Sequence, residues 1–431
     1  MKKLNFLLIA FLAYIGLSTF IACSEDDLGP TIFPEGEKPL DRTMGTFPLD
    51  TFVKKYMLEP YNMKYIYRME DVGADMQKNL VPAKYEKSLE LAILTKYLWL
   101  DVYDKLAGEK DVFLKKYAPR IIHVIGSPAY NDDGSRTVGV AEGGVKITLM
   151  ETNKLDVNQI EGPNGLNNLF FHTMHHEFSH ILDQTYQRPT EFDLLSSNLY
   201  DASWNDKHDS VQCSLGFVTP YGSSANREDW AEVMSCYITY DNDRWNRLLN
   251  SSLTDWEDVE FTLDSFQVRY PRAWEEQSLV SSGLKDEYTI YDRDSVGYLH
   301  ELSNGEYKLA RKVIKRDADG YAQTDTLGNC ILDREHWDNI DGHEIILTKV
   351  NIVRNWLRAN WDIDLDALRQ EVQQRQYMTD ENGVFVRDEY GNYVNRLIQP
   401  YQPGSSKTLF EYLNEEVDGY KAMYEEAIRN K

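Results

Sequence analysis

Cysteine is scarce in this chain: four in 431 residues, at positions 23, 213, 236 and 330. That count supports no disulfide framework, and the spacing contains no cysteine-based zinc motif. A Cys213–Cys236 bridge is open on the count alone, with nothing in the spacing to favour it. Positive charge is also short. The 46 Lys and Arg face 70 Asp and Glu, a net charge of −24. No basic patch is available to neutralise phosphates, so nucleic acid is not an expected partner. Such a charge favours solubility and discourages acidic ligands.

A long apolar run does occur at the N-terminus. Met1-Lys2-Lys3 precedes a nearly all-apolar stretch from Leu4 to Ile21, closed by Phe20-Ile21-Ala22-Cys23. This reads as a secretory leader with a lipobox over 1–22, not as a retained membrane span. Lipoboxes usually carry Leu three residues before the cysteine, and Phe20 departs from that. Cys23 is the expected lipidation site, and acyl chains there would anchor the protein to a membrane. Residues 23–48, with Pro30, Pro34, Pro39 and Pro48, read as a tether.

What the chain has in plenty is histidine in one place. Four of its nine histidines, His172, His175, His176 and His180, fall within nine residues. His176-Glu177-Phe178-Ser179-His180 is an HExxH motif. On a helix, residues four apart share a face, so the His176 and His180 imidazoles can converge on one ion. Glu177 is angled beside them, where it can act as general base on water instead of binding the metal. Leu169, Phe170, Thr173, Met174, Ile181 and Leu182 supply apolar positions at helical spacing. The competing reading is a surface helix that merely carries two histidines. His172, one turn before His176, could be an outer partner of the site or a solvated bystander, and the bystander reading is favoured.

A hydrolytic zinc site uses three protein ligands and leaves one position open. Continuing the motif as a metzincin would need Gly at 183 and His at 186; Asp183 and Tyr186 exclude it. Downstream, Asn226 or Ser224 is placed to cap a helix starting near Arg227, with Val233, Met234, Tyr237 and Ile238 on its apolar face. Glu228 and Glu232 share one side of it. Asp229, Asp183 and His208 are rival ligands, and Glu228 and Asp229 could also serve only as first-turn acids.

The pairing of HEFSH with Glu228-Asp229-Trp230-Ala231-Glu232 about fifty residues later resembles the gluzincin branch of zinc peptidases. More closely it resembles the zinc-binding metallopeptidase lipoproteins of Bacteroidetes, also called substrate import-associated zinc metallohydrolase lipoproteins. The resemblance implies Glu228 as third ligand, Glu232 as the residue orienting a ligand histidine, and Tyr221 as oxyanion donor, as in lethal-factor-like relatives. It implies an α+β zincin-like fold, a Zn2+ cofactor, a peptide or glycopeptide substrate, and work beside an outer-membrane nutrient import complex. Ser24-Glu25-Asp26-Asp27 resembles the export signal that sends such lipoproteins to the cell surface. A non-catalytic binding lipoprotein with a structural or vestigial zinc site is the alternative, and a glycan-binding protein a weaker one. A complete Glu177 speaks against the binding lipoprotein, since binding alone needs no general base.

The catalytic unit is assigned to 49–255 and a helical region with β-hairpin insertions to 256–431. Residues 83–107 read as helical, while 120–125, 137–141 and 145–150 read as strands. Val145–Met150 is taken as the edge strand over the active-site helix, where an extended substrate could add. His123 reads as a strand residue and not a ligand. Asp317-Ala318-Asp319-Gly320 recurs as Asp380-Glu381-Asn382-Gly383, each followed by a second Asp and a Gly-Asn step. Both copies read as tight-turn hairpins; neither keeps the full ligand order of a calcium loop. Lys349 to Asn360, Leu365 to Gln376 and Leu409 to Arg429 read as helices.

Overall fold

The computed structural model describes residues 39–69, 79–108, 112–130, 136–137, 139–142, 145–253, 256–261, 297–301, 307–321, 323–326, 331 and 340–431. The expected leader, Cys23, most of the tether and Cys330 lie outside them. Among the described residues no helix is long and apolar enough to cross a membrane.

The fold is α+β. Its central sheet uses four short strands: β1 (Lys64–Ile66), β2 (Ile121–Val124), β5 (Gly139–Glu142) and β6 (Lys146–Leu149). Between β2 and β5 lies a minimal antiparallel pair, β3 (Ala129–Tyr130) with β4 (Arg136–Thr137). The sheet order is β1-β2-β6-β5. The first three strands are parallel, with Ile122 opposite Ile147 and Val124 opposite Leu149. Both faces of β2 and β6 are buried, as the β-branched runs Ile121–Val124 and Lys146–Leu149 require of parallel strands.

One expectation is overturned here. Val145–Met150 is not the edge. β6 bonds to β2 on one side and antiparallel to β5 on the other, so β5 and β1 are the edges among the described strands. The apolar run of β6 reflects its central place, whereas an edge position is set by pairing that no local pattern shows. His123 is buried within β2 and joins none of the metal-capable clusters found among the described residues.

Three helices carry most of the argument. The histidine helix (His172–Thr185) follows a π-helical stretch, Asn167–Phe171. Its apolar positions Met174, Phe178, Ile181 and Leu182 are all in the core. Phe178 packs edge-on against Trp99 and Tyr103, with ring centroids 5.1 and 5.0 Å away. The glutamate helix (Asn226–Thr239) lies against it. Neither Asn226 nor Ser224 caps this second helix. Extended Ala225 is its N-cap and makes no side-chain cap bond. The lysine helix (Gly342–Trp361) packs on the glutamate helix from the far part of the chain. Asp341 caps its N-terminus by accepting the Glu344 amide.

A single apolar cluster runs from Leu49 through Trp230, Trp356 and Leu368 to Val417. It therefore draws on both sides of residue 255. Helices Leu365–Gln376 and Leu409–Arg429 form at the expected bounds, the second with a capping box between Thr408 and Glu411. A second sheet pairs β7 (Trp256–Phe261), β9 (Tyr307–Lys312) and β8 (Gly297–Glu301) in that order.

The repeated Asp-Gly segments are turn modules with matching hydrogen bonds. Lys315 and Gln323 bond as Met378 and Val386 do, and Ile331 and Gln323 bond as Val394 and Val386 do. In each turn the leading carboxylate is consumed by backbone amides. Asp317 accepts from Asp319 and Tyr321, Asp380 from Asn382 and Val384, and Asp388 from Tyr390 and Asn392. Gly320 and Gly383 sit at φ of +83° and +78°, a region that penalises any Cβ. No calcium-like ligand cluster forms at these turns among the described residues.

Candidate metal centre

Each residue of the histidine helix advances about 100°, so His172, His176 and His180 fall along one side and His175 is turned away. His176 and His180, four apart, face the glutamate helix. Their Nε2 atoms stand 3.2 Å apart. Glu228 Oε2 completes a triangle, 3.1 Å from His176 Nε2 and 3.2 Å from His180 Nε2. Donors held 2.0–2.2 Å from one tetrahedral ion stand roughly 3.3–3.5 Å apart, so this nearly equilateral set of two imidazoles and a carboxylate fits a single zinc ion. Three protein donors leave one tetrahedral corner for water or substrate.

The outer contacts hold this triangle. His176 Nδ1 donates to Glu232 Oε1 at 2.7 Å, which leaves the Nε2 lone pair directed at the other donors. Thr219 Oγ1 donates to Glu232 Oε2 at 2.7 Å. Arg227 Nε donates to Glu228 Oε1 at 2.9 Å, on the oxygen that does not face the imidazoles. Burial opposes a charge on His176, but hydrogen bonds to Glu228 and Glu232 outweigh it and lift its pKa to about 10. Burial likewise opposes ionisation of Glu228, yet the two imidazoles hold its carboxyl well below the usual carboxylate range. A carboxylate facing two imidazoles is a donor set on which a divalent cation can take the place of the protons.

Glu177 is buried beside His176. Tyr221 opens a short 3-10 turn (Tyr221–Ser224) ahead of the glutamate helix. Its ring lies over His176 with centroids 5.8 Å apart, and Trp204 stands edge-on behind it at 5.1 Å. Burial, followed by the charge of Glu228, pushes the Tyr221 phenol far up, so it stays protonated and able to donate.

The rival ligands go elsewhere. Asp229 is adjacent to Glu228 in sequence but points to the opposite side of its helix. There it meets Lys349 Nζ at 2.6 Å and accepts the Tyr200 hydroxyl at 3.0 Å. Asp183 is bonded by Arg188 through its backbone amide at 2.7 Å and its guanidinium at 2.5 Å. His208 caps the helix Asp209–Ser214 by accepting the Ser210 amide. His175 faces the core, where its Nδ1 meets the Tyr103 hydroxyl at 2.9 Å and burial lowers its pKa to about 3. Cys213 and Cys236 are both buried and free, so the bridge left open by their count does not form.

His172 is not the solvated bystander the sequence suggested. Its Nε2 lies 3.3 Å from Glu232 Oε1 and 3.1 Å from Ser235 Oγ. The sequence did hold a signal: His172 precedes His176 by one turn, and Glu232 precedes Cys236 by one turn, so two pairs face each other across the helix packing. Thr219 and Lys349 had no such signal, since only the tertiary fold brings them near.

Comparisons with known proteins agree with this geometry. A family model described as "Putative zinc-binding metallo-peptidase" matches residues 43–366. A solved structure of "a putative zinc-binding metallo-peptidase from Bacteroides caccae" is similar at 27% identity and a TM-score of 0.50. That match covers 80% of this chain and 95% of the other. No curated protein matches the chain. The matched span contains all three converging donors and Glu177, and the protein therefore belongs to this zinc-binding metallo-peptidase family.

Proposed function

We propose that the protein is a zinc-dependent peptidase, carried on the outer cell face by acyl chains at Cys23 and working beside an outer-membrane nutrient import complex. The observation that carries the hydrolytic part is the convergence of His176, His180 and Glu228 next to a buried Glu177. Those three residues would hold Zn2+, whose Lewis acidity polarises the scissile carbonyl and makes water more acidic.

The remaining steps belong to the chain. Glu177 accepts a proton as water oxygen bonds to the carbonyl carbon, and returns it to the amine as the carbon–nitrogen bond breaks. Tyr221, kept protonated, donates to the oxygen on which negative charge develops. Glu232 fixes the His176 ring and its tautomer. β5, the edge strand in contact with the histidine helix, offers backbone groups to an extended peptide or glycopeptide. Resemblance to the Bacteroidetes lipoprotein family and the Cys23 lipobox support the location and the import role.

The test is Glu177→Gln against a mixed peptide library, with zinc measured by elemental analysis. The variant is expected to keep wild-type zinc and lose cleavage. A wild-type protein that binds zinc but cleaves nothing in the library would instead favour a surface binding lipoprotein with a structural ion.

A further inference from the structure

We propose that His172 is a positioning residue of the metal centre, acting through Glu232 on His176; this rests on the zinc reading above. Glu232 is a buried carboxylate with partners at both of its oxygens. Oε1 takes His176 Nδ1 at 2.7 Å and lies 3.3 Å from His172 Nε2. Oε2 takes Thr219 Oγ1 at 2.7 Å and the Cys236 thiol at 3.8 Å. A carboxylate offers about four such sites. Thr219 is itself held, because its Oγ1 accepts the Gly222 amide at 3.1 Å.

The direction of the His172 bond follows from Ser235. Its hydroxyl donates to the Ala231 carbonyl at 2.8 Å, so toward His172 the Ser235 oxygen must accept. His172 Nε2 therefore carries a proton and faces Ser235 Oγ, Glu232 Oε1 and Cys236 Sγ at 3.1, 3.3 and 3.5 Å. The ring cannot drift from this post. Tyr240 stacks on it, at 6.4 Å and 25°, and the Arg244 guanidinium lies 3.5 Å above the Tyr240 ring.

His172, Glu232 and Cys236 also have spacings that suit a second ion. The hydrogen bonds decide against that reading. An ion there would have to displace the Nε2 proton and compete for Glu232 oxygens already bonded to His176 and Thr219. The cluster is a clamp: it sets the carboxylate plane, the carboxylate sets the His176 tautomer, and that tautomer presents Nε2 to the metal.

The experiment measures the zinc dissociation constant of the purified protein by competition with a chelator at fixed pH. It compares wild type with His172→Ala, His172→Asn and His172→Gln. Unfolding of the zinc-free proteins is followed alongside. His172→Ala is expected to weaken zinc about tenfold, the lower end for losing an outer partner of a ligating histidine. His172→Gln, whose amide reaches Glu232, is expected to recover most of the loss, and the shorter His172→Asn little of it. Should the alanine variant fail to fold, the Gln-against-Asn difference decides. Affinities within about twofold across the series would overturn the proposal. So would two tight zinc equivalents in wild type falling to one in His172→Ala. A wild type without zinc affinity would remove the underlying zinc reading instead.

Discussion

Lys349→Met should destabilise the protein by about 3–5 kcal/mol, the usual loss when one partner of a buried ion pair is removed. Neither Lys349 nor Asp229 exposes any side-chain surface, and their charged atoms are 2.6 Å apart. Lys349 Nζ also donates to the Gly216 carbonyl at 2.8 Å and lies 4.4 Å from the Phe217 ring centroid. Methionine keeps the stem and the packing, so the change isolates the charge. It leaves Asp229 buried with the Tyr200 hydroxyl as its remaining hydrogen-bond donor among the contacts described, and strips the Gly216 carbonyl of a partner. Burial raises the Asp229 pKa and lowers that of Lys349, so desolvation outweighs attraction at both ends. It follows that removing both charges should be gentler than removing one. Asp229→Asn with Lys349→Met should recover at least half of the single-variant loss. Urea and thermal unfolding of the four members of this cycle give the answer, the single variant falling on the order of 10 °C. The zinc affinity should fall in parallel, because Asp229 neighbours Glu228. A Lys349→Met protein within about 1 kcal/mol of wild type would refute the reasoning, as would a double variant less stable than the single.

Two further outcomes follow. Tyr221→Phe should leave zinc content and KM near wild type while lowering kcat on the order of a hundredfold, since the phenol acts on charge present only in the transition state; an unchanged kcat removes Tyr221 from the chemistry. The C-terminal helix should loosen in acid. Burial opposes ionisation of Glu416, but its bonds to Lys55, Tyr420 and Tyr56 hold its pKa below the usual 4.5. Its stabilising contribution is therefore complete above that value and is lost as pH falls through the lowered one. Protection of the Leu409–Arg429 amides, corrected for the intrinsic exchange rate at each pH, should fall in that acid window, and Glu416→Gln should flatten the dependence; protection unchanged with pH would contradict the role.

Much of the centre was legible in the chain because it depends on local geometry. HExxH fixes two imidazoles on one helix face with a carboxylate beside them, whatever the rest of the fold does. The bounds of Leu365–Gln376 and Leu409–Arg429 were legible for the same reason: caps and apolar spacing act within a few residues. The Asp-Gly turns were readable because an Asp side chain binds amides two and four residues on.

Residues whose role depends on a distant partner were not legible. Glu228 and Asp229 are equivalent acids in one helical turn; the residue pattern left both as candidates, and the family resemblance pointed to Glu228. The tertiary structure settles the choice by direction, turning Glu228 to the imidazoles and Asp229 to a lysine 120 positions later. The same holds for β5, whose edge place comes from how four strands pair, and for His172, which became a bonded partner once two helices packed. Sequence by itself determined which groups could bind metal; tertiary structure decided which of them converge, because convergence across helices is a property of packing and leaves no periodic mark on either segment.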